Sequence, residues 1–395
     1  MISFNYHSLF RRTLKFELQC DNLTPILILT TDIYLIKITS IPMFKSFTQS
    51  LSKSLNTLSV QPSNLLTLSS VCLAFIGGLT LTLGVAANSS PSISSNPTLI
   101  AQTAKTTVVR IGHQKFDPFT LVKNKGDLEK RLKPLGVTEV KWTEFPSGPP
   151  MLEALNAGSL DIARTGDAPP VIAQAAGTPF VYVGSSAPKN KSSALLVKKD
   201  SPIKKISDLK GKKVAFAKGS SANYLIVRIL ESGGLKWEDI TPAYLSPADA
   251  RAAFEKDSVD AWVIWDPFYA AIQATGDVRV IRDSQGLVTN RDFYLSNKQF
   301  ANQNPQIIKA IREETQKVSA WADKNTNEVV DFLSPLLKID KAVLLTVVKR
   351  RDFGFEKFTP AIAKEQQAIA DSFYKLKLIP KQIKVSDVVW QAPKK

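Results

Sequence analysis

Residues 142–177 read WTEFPSGPPMLEALNAGSLDIARTGDAPPVIAQAAG, a strand–helix–strand–helix alternation in which both helices open on a small or acidic residue followed by prolines. Ser147-Gly148-Pro149-Pro150 leads into MLEALNAG, and Thr165-Gly166-Asp167-Ala168-Pro169-Pro170 leads into VIAQAAG. Proline suits the first helical positions because the N–H it lacks has no partner within the helix there. Each such start leaves a helix N-terminus, with its partial positive charge, facing whatever lies above the strand ends. The expectation is a site for a small anion, with the rest of the chain forming a box around it.

Working outward, VVRIGHQ (108–114) is a strand and 119–135 a helix that Gly126 breaks early. VKWTEFP, LDIAR and PFVYVGSS supply three further strands, giving the rhythm of a doubly wound sheet. SALLVKK follows as a strand, 202–209 as a helical turn, 213–218 as a strand, and Gly219-Ser220-Ser221 opens a helix over 222–231. A strand at 243–245, a helix begun by Ser246-Pro247-Ala248-Asp249, a strand at 260–265, a helix after Asp266-Pro267 and a strand at 278–281 complete a second unit. DFYLSNKQF returns as a strand, and the tail is helical over 305–325, 328–337, 341–349 and 360–376. The most economical topology is two α/β lobes. Lobe one comprises 107–199 and 289–395, lobe two is the insertion 200–288, and the C-terminal helices pack back on lobe one. Ligands of such folds sit at the C-terminal ends of strands, between lobes.

The chain has 395 residues and a net charge of +16, of which +13 remains beyond residue 87. Its lysines are dispersed, and the densest runs, at 198–199, 204–205 and 210–213, lie beside turn residues without interleaved aromatics. That argues against nucleic acid and for an anionic ligand or an acidic partner face. Cys20 and Cys72 both precede residue 88, and the histidines are His7 and His113. Ligand supply therefore excludes Cys/His zinc or iron sites, and no cofactor is expected. A Ser-His-Asp triad would have His113 alone to draw on, and a lone histidine on a strand is read as structural.

Residues 1–42 read as an extension upstream of the true start, their apolar run being interrupted by Pro25, Asp32 and Lys37. Residues 43–87 read as a signal peptide: Lys45 and Lys53 form a basic region, 65–87 is apolar, and Gly84-Val85-Ala86-Ala87 is a small-residue cleavage pattern. An uncleaved anchor is the alternative. The Ser/Pro/Asn-rich 88–106 is expected to be a disordered tether. Export across a bacterial inner membrane, to the periplasm, is the expected fate.

The opening block resembles the periplasmic aliphatic sulfonate-binding proteins of ABC importers, which carry an EFP-[AS]-GP start, MLEALN-x-GS-[IL]-D and TGD-x-PP-x-x-AQAAG. The similarity continues through DLKGKKVAFAKGSS, LSPADARAAFEKDSVDAW and IWDPFYAA, and returns at LIPKQI and Val389-Trp390, spanning roughly 108–391 in colinear order. The resemblance implies a type II periplasmic binding fold, hinge closure over an alkanesulfonate, and delivery to an ABC permease driven by a cytoplasmic ATPase. No P-loop motif occurs in this sequence, so ATP chemistry falls to a partner. A non-enzymatic monomer is expected. Carriers of taurine, nitrate or another small anion share the same cleft and stay open as alternatives. Thiamine-pyrimidine synthases share the fold but need a donor histidine and a Cys-rich iron motif, against which the Cys-free mature chain and the leader argue.

A sulfonate is a permanent anion with acceptor oxygens only, so its site wants donors. Ser147, Gly148, Thr165 and Gly166 offer them from lobe one, Ser220 and Ser221 from lobe two. The plain alternative for each serine is N-capping, which also accounts for Asp167 and Asp266. A carboxylate at 167 or 266 would otherwise face a ligand amine, as taurine requires. Gln114 ends the first strand, and Trp265 and Phe293 are candidates to wall the organic part or to sit in the core. Arg164 departs from the family pattern, which has a smaller or less basic residue before TGD. It can fork onto the sulfonate or pair with Asp161 or a surface acid. KFDPF (115–119) departs too, bearing on the size of the ligand's alkyl group, although Asp117-Pro118 also reads as a helix start.

Overall fold

The computed structural model describes residues 16–19, 26–29 and 107–392. The expected signal peptide at 43–87, the tether at 88–106 and most of 1–42 lie outside the described residues. Residues 1–97 and 98–395 form separate units. In the first, β1 (Phe16–Gln19) pairs antiparallel with β2 (Ile26–Leu29), within a stretch to which the sequence assigned no part in the fold. No helix among the described residues is long and apolar enough to cross a membrane.

The second unit holds two five-stranded sheets. In the first, the order is β4 (Val137–Glu144), β3 (Thr107–His113), β5 (Ile162–Thr165), β12 (Phe293–Asn297) and β6 (Phe180–Ser185). Strand β3 runs parallel to β4 and β5, whereas β12 lies antiparallel between β5 and β6. The second sheet has the order β9 (Thr241–Tyr244), β8 (Lys213–Phe216), β10 (Ala261–Trp265), β7 (Ser193–Lys198) and β11 (Val278–Asp283). Its β8 is parallel to β9 and β10, and β7 is antiparallel to β10 and β11. The two plans are the same: three parallel strands, then one antiparallel strand, then an edge. In each lobe the antiparallel strand is the one reached by crossing over from the other lobe.

This topology corrects the boundary expected after residue 199. β7 pairs with β10 and β11 and therefore belongs to lobe two. The chain changes lobe within residues 186–192, and it returns within 284–292. Two apolar runs a few residues apart, Phe180–Ser185 and Ser193–Lys198, look like neighbours in one sheet; hydropathy alone cannot show that the short link between them crosses.

Alternation along each strand sends successive side chains to opposite faces. On one face of the first sheet, Val109, Ile111, Ile162 and Tyr294 pack with α1 (Pro118–Lys125), α2 (Asp127–Leu132) and α9 (Pro305–Lys324). On the other, Ala163, Phe293 and Leu295 pack with α3 (Gly148–Asn156), α4 (Ala168–Ala175) and α12 (Pro360–Lys375). In lobe two, α5 (Ser221–Ser232) covers Val214, Phe216 and Val263, and α6 (Pro247–Glu255) and α7 (Phe268–Gln273) cover Ala215, Trp262 and Ile264. Burying a large apolar side chain such as Trp262 or Phe216 contributes on the order of 1.5–3 kcal/mol, so each sheet is held from both sides. The tail supplies α9, α10 (Thr326–Leu337), α11 (Lys341–Lys349) and α12 close to the expected bounds, whereas α8 (Lys298–Gln303) begins within the segment DFYLSNKQF expected to be strand throughout. Helix α9 rests on α1 and α2 and α12 on α4, all in lobe one, whereas α11 packs against α7 of lobe two.

Candidate functional site

Between the lobes, above the C-terminal ends of the parallel strands, lies a cavity of about 310 Å³. Nine of the residues singled out from sequence line it: Gln114, Gly148, Arg164, Thr165, Gly166, Ser220, Ser221, Trp265 and Asp266. Three do not. Phe293 is buried in the core, its ring 5.3 Å from that of Tyr182 and 5.7 Å from that of Phe358, because its register opposite Thr165 turns it toward α3 and α4. Asp167 is buried behind the wall, where its Oδ1 accepts the Ala168 N–H at 2.8 Å and its backbone N–H donates to the Ser221 hydroxyl at 3.2 Å. Burial raises its pKa, partly offset by Ser221. Ser147 is also buried and sits just outside the lining.

Two helices bring their N-termini to the cavity. Helix α3 begins at Gly148 behind Ser147, and α5 at Ser221 behind Ser220; in neither does the serine side chain cap the helix. The Ser220 hydroxyl instead donates to the Ala217 carbonyl at 2.7 Å. First-turn N–H groups have no intrahelical acceptor, so both termini keep donors free for a ligand. In α3, Pro149 and Pro150 have no N–H, which concentrates this role on Gly148. No side chain fits at Gly148: a Cβ there would lie 1.9 Å from Thr165 Oγ1 and 2.5 Å from Pro169 Cγ. Thr165 Oγ1 is itself buried without a partner among the described residues.

The lobes touch beside this cradle. A Cβ on Gly166 would come within 2.0 Å of Ser221 Oγ, and one on Gly219 within 2.8 Å of Ile172 Cδ1, each pair crossing between lobes. Aromatic rings of Phe116, Phe145, Trp265 and Phe268 line other parts of the cavity.

Arg164 is buried, and its partners differ from those expected. Asp161 is taken by Arg110 at 2.6 Å. Arg164 instead bonds the Gln114 side-chain carbonyl at 2.9 Å, approaches Asp117 at 3.5 Å and pairs with Asp292. Asp292 also receives Lys189 at 3.0 Å and Arg351 at 3.2 Å, so one carboxylate anchors three cations. Burial lowers the Arg164 pKa to about 10, against the pull of Asp117, which leaves it charged at neutral pH. Burial, together with Arg164 and Arg351, pushes Lys189 well below the usual range.

Asp117 confirms the helix-start reading of KFDPF: it forms a reciprocal capping pair with Thr120, while Phe116 turns its ring to the cavity. Asp266 Oδ1 accepts Arg350 Nη1 at 3.1 Å and the Ala270 N–H at 3.0 Å; burial raises its pKa to about 6, opposed by Arg350. His113 faces the core, its ring edge-on to Trp142 at 6.1 Å.

Sequence reasoning missed Lys189, Asp292 and Arg351. The first two lie in the crossings between lobes and the third follows α11, positions whose meaning depends on knowing where the chain changes lobe.

A family model described as NMT1/THI5 like matches residues 140–328. The alkanesulfonate-binding protein SsuA from Xanthomonas axonopodis pv. citri, solved bound to MOPS, superposes with a TM-score of 0.69 at 38% identity, covering 72% of this chain and 98% of that one. The periplasmic aliphatic sulphonate binding protein SsuA from Escherichia coli superposes at 0.66 with 41% identity over 73% of this chain and 93% of that one. A relative of Escherichia coli (strain K12) bearing the name aliphatic sulfonates-binding protein is 40% identical over 322 residues, 81% of this chain and 95% of the relative. The chain belongs to the SsuA-type aliphatic sulfonate-binding family. Within this sulfonate-binding frame, Arg164 brings a buried guanidinium to the end of β5, where it lines the cavity.

Proposed function

We propose that the protein is an exported solute-binding protein that captures an aliphatic sulfonate between its lobes and presents it to an ABC permease driven by a cytoplasmic ATPase, catalysing no reaction itself. The observation that carries this reading is the meeting of two helix N-termini, one from each lobe and neither capped by its serine, at a single enclosed cavity. A sulfonate offers three acceptor oxygens and a fixed charge, which such termini satisfy without a proton changing hands. Gly148 and Thr165 donate from lobe one, and Ser221 from lobe two, while Ser220 shapes the turn by bonding the Ala217 carbonyl. The aromatic rings shield the organic part. Because donors come from both sides, the anion holds the lobes together, and its differential affinity for the closed arrangement drives closure.

The family match and the periplasmic name of the Escherichia coli relative support the assignment to import and to the periplasm. Asp266, which would serve the amine of taurine, already faces Arg350, so the aminosulfonate reading gains less support. Titration calorimetry with a panel of alkanesulfonates, taurine, nitrate and bicarbonate tests the proposal: micromolar or tighter binding of at least one alkanesulfonate is expected. Heat with nitrate or bicarbonate and none with any sulfonate overturns it.

A further inference from the structure

The cavity has two chemically different poles, divided by the first sheet. Arg164 and Thr165 are consecutive in β5, so their side chains leave opposite faces. The register repeats the division: Thr165 lies opposite Phe293, which packs with α3 and α4, and Arg164 opposite Tyr294, which packs with α1. On the Thr165 face is the neutral cradle of helix N-termini. On the Arg164 face is the ion cluster of Arg164, Lys189 and Arg351 with Asp292 and Asp117. Arg164, Lys189, Arg351 and Asp292 all line the same cavity as Gly148 and Thr165.

The cluster gathers three basic side chains on two carboxylates, and burial beside Arg164 and Arg351 favours the neutral form of Lys189. Each of the three basic side chains is at least nine-tenths buried. Of the other charged side chains lining the cavity, Asp266 is matched by Arg350, and Glu144 and Lys115 are of opposite sign. The Nε–H groups of Arg164 and Arg351 are buried and have no acceptor among the described residues. Buried guanidinium donors without acceptors are costly. An anionic group arriving from the cavity beside Arg164 and Arg351 offers the missing acceptor, and arginine suits it because its planar fork matches a carboxylate or a second sulfonate.

We infer that the preferred ligand is a sulfonate carrying a second anionic group at its far end, the sulfonate lying in the helix cradle and the second anion against Arg164 and Arg351. This rests on the sulfonate-binding reading and sharpens it to a class of dianions. A plain alkanesulfonate leaves the cluster facing a hydrocarbon tail; a sulfocarboxylate of the same length does not.

The test is titration calorimetry on the purified protein at neutral pH and fixed ionic strength with two length-matched probes, propane-1-sulfonate and 3-sulfopropanoate. The expected result is at least tenfold tighter binding of 3-sulfopropanoate, and a ratio that shrinks toward one in Arg164→Gln. Equal or tighter binding of propane-1-sulfonate by the unaltered protein overturns the inference and leaves the sulfonate-binding function standing. No binding of either probe or of any longer sulfonate removes both. Should Arg164→Gln fail to fold, the ratio measured on the unaltered protein already decides. A ratio above ten that Arg164→Gln, folded by circular dichroism, leaves unchanged also overturns the inference, because the preference then has another source.

Discussion

The two lobes share one plan, and at equivalent strand ends they make opposite choices. After the central parallel strand, lobe one caps its helix with Asp117, whereas lobe two leaves Ser220 uninvolved in capping. After the outer parallel strand the roles reverse: Ser147 does not cap α3, whereas Ser246 accepts the Asp249 N–H at 3.3 Å at the start of α6. Of the helices that follow these two strands, each lobe thus leaves one uncapped by a side chain, and these are the two that meet at the cavity. The antiparallel strands diverge as well. Strand β12 is preceded by Asp292, which gathers three cations, and β7 by Ser192, which bonds only neutral groups. Lobe one supplies an ion cluster beside its neutral donors, and lobe two supplies neutral donors and an indole face. A fold repeated twice need not repeat its chemistry, and a cleft gains selectivity when its halves are unlike.

The largest way to break this comparison is to neutralise the acid of lobe one. Asp292→Asn leaves Arg164, Lys189 and Arg351 buried with Asp117 as the remaining carboxylate. Removing one partner of a buried ion pair typically costs about 3–5 kcal/mol, and urea unfolding is expected to show a loss in that range. The matching change in lobe two, Ser192→Ala, removes hydrogen bonds between neutral groups and is expected to cost about 1 kcal/mol. Equal losses at the two positions would mean that the charge asymmetry has no energetic content.

The next test separates stability from closure. Gly148 and Gly166 both lack room for a Cβ, but the atoms that would be struck lie in different places. At Gly148 they belong to Thr165 and Pro169 of the same lobe, so Gly148→Ala is expected to cost about 1–3 kcal/mol in ligand-free unfolding. At Gly166 they belong to Ser221 of the other lobe. Gly166→Val should wedge the lobes apart, weakening sulfonate binding on the order of 100-fold, a loss of about 2.7 kcal/mol, with ligand-free stability changed by no more than about 0.5 kcal/mol. Small-angle scattering should show that this variant no longer contracts on adding ligand.

How far these contrasts were visible in the sequence depends on the range of the interactions involved. Helix starts are local, so Gly148, Ser220 and Ser221 could be placed from a few neighbouring residues. The same locality gave the α/β alternation and the helical tail. The ion cluster is not local: Arg164 meets Asp292 across 128 positions, and Lys189 sits in a link that hydropathy reads as an ordinary turn. Arg164 was visible as a candidate, but not its partner, because Asp161 three residues away looked available and is in fact held by Arg110. Phe293 failed for a similar reason, since its facing is set by register against β5, not by its own segment.

Asp266 gives a pH test of intermediate size. Its pKa rises from the ordinary 3.8 to about 6, because burial outweighs the attraction of Arg350. The folded state therefore binds the proton more tightly than the unfolded state does. The resulting stabilisation is fully present below about pH 4 and is lost as pH rises toward 6. At roughly 1.4 kcal/mol per unit the swing is of order 2–3 kcal/mol. Chemical unfolding of the protein and of Asp266→Asn at pH 4, 5, 6 and 7.5 should give a difference that moves across the first three points and is flat beyond; a constant difference would show that Asp266 titrates normally.

The smallest effect concerns the serines that begin equivalent helices. Ser246 spends its hydroxyl on capping, and losing such a cap typically costs about 1 kcal/mol. Ser246→Ala should therefore lower stability by about that amount and leave sulfonate affinity within twofold, since Ser246 lies away from the cavity. Ser147 occupies the same place in lobe one and caps nothing, so Ser147→Ala should change ligand-free stability by less than about 0.5 kcal/mol. If Ser147 proves as costly to remove as Ser246, its hydroxyl caps α3 in solution. The terminus assigned to the anion would then already be filled by the protein, and the division of labour between the two lobes would fail at the point where it matters most.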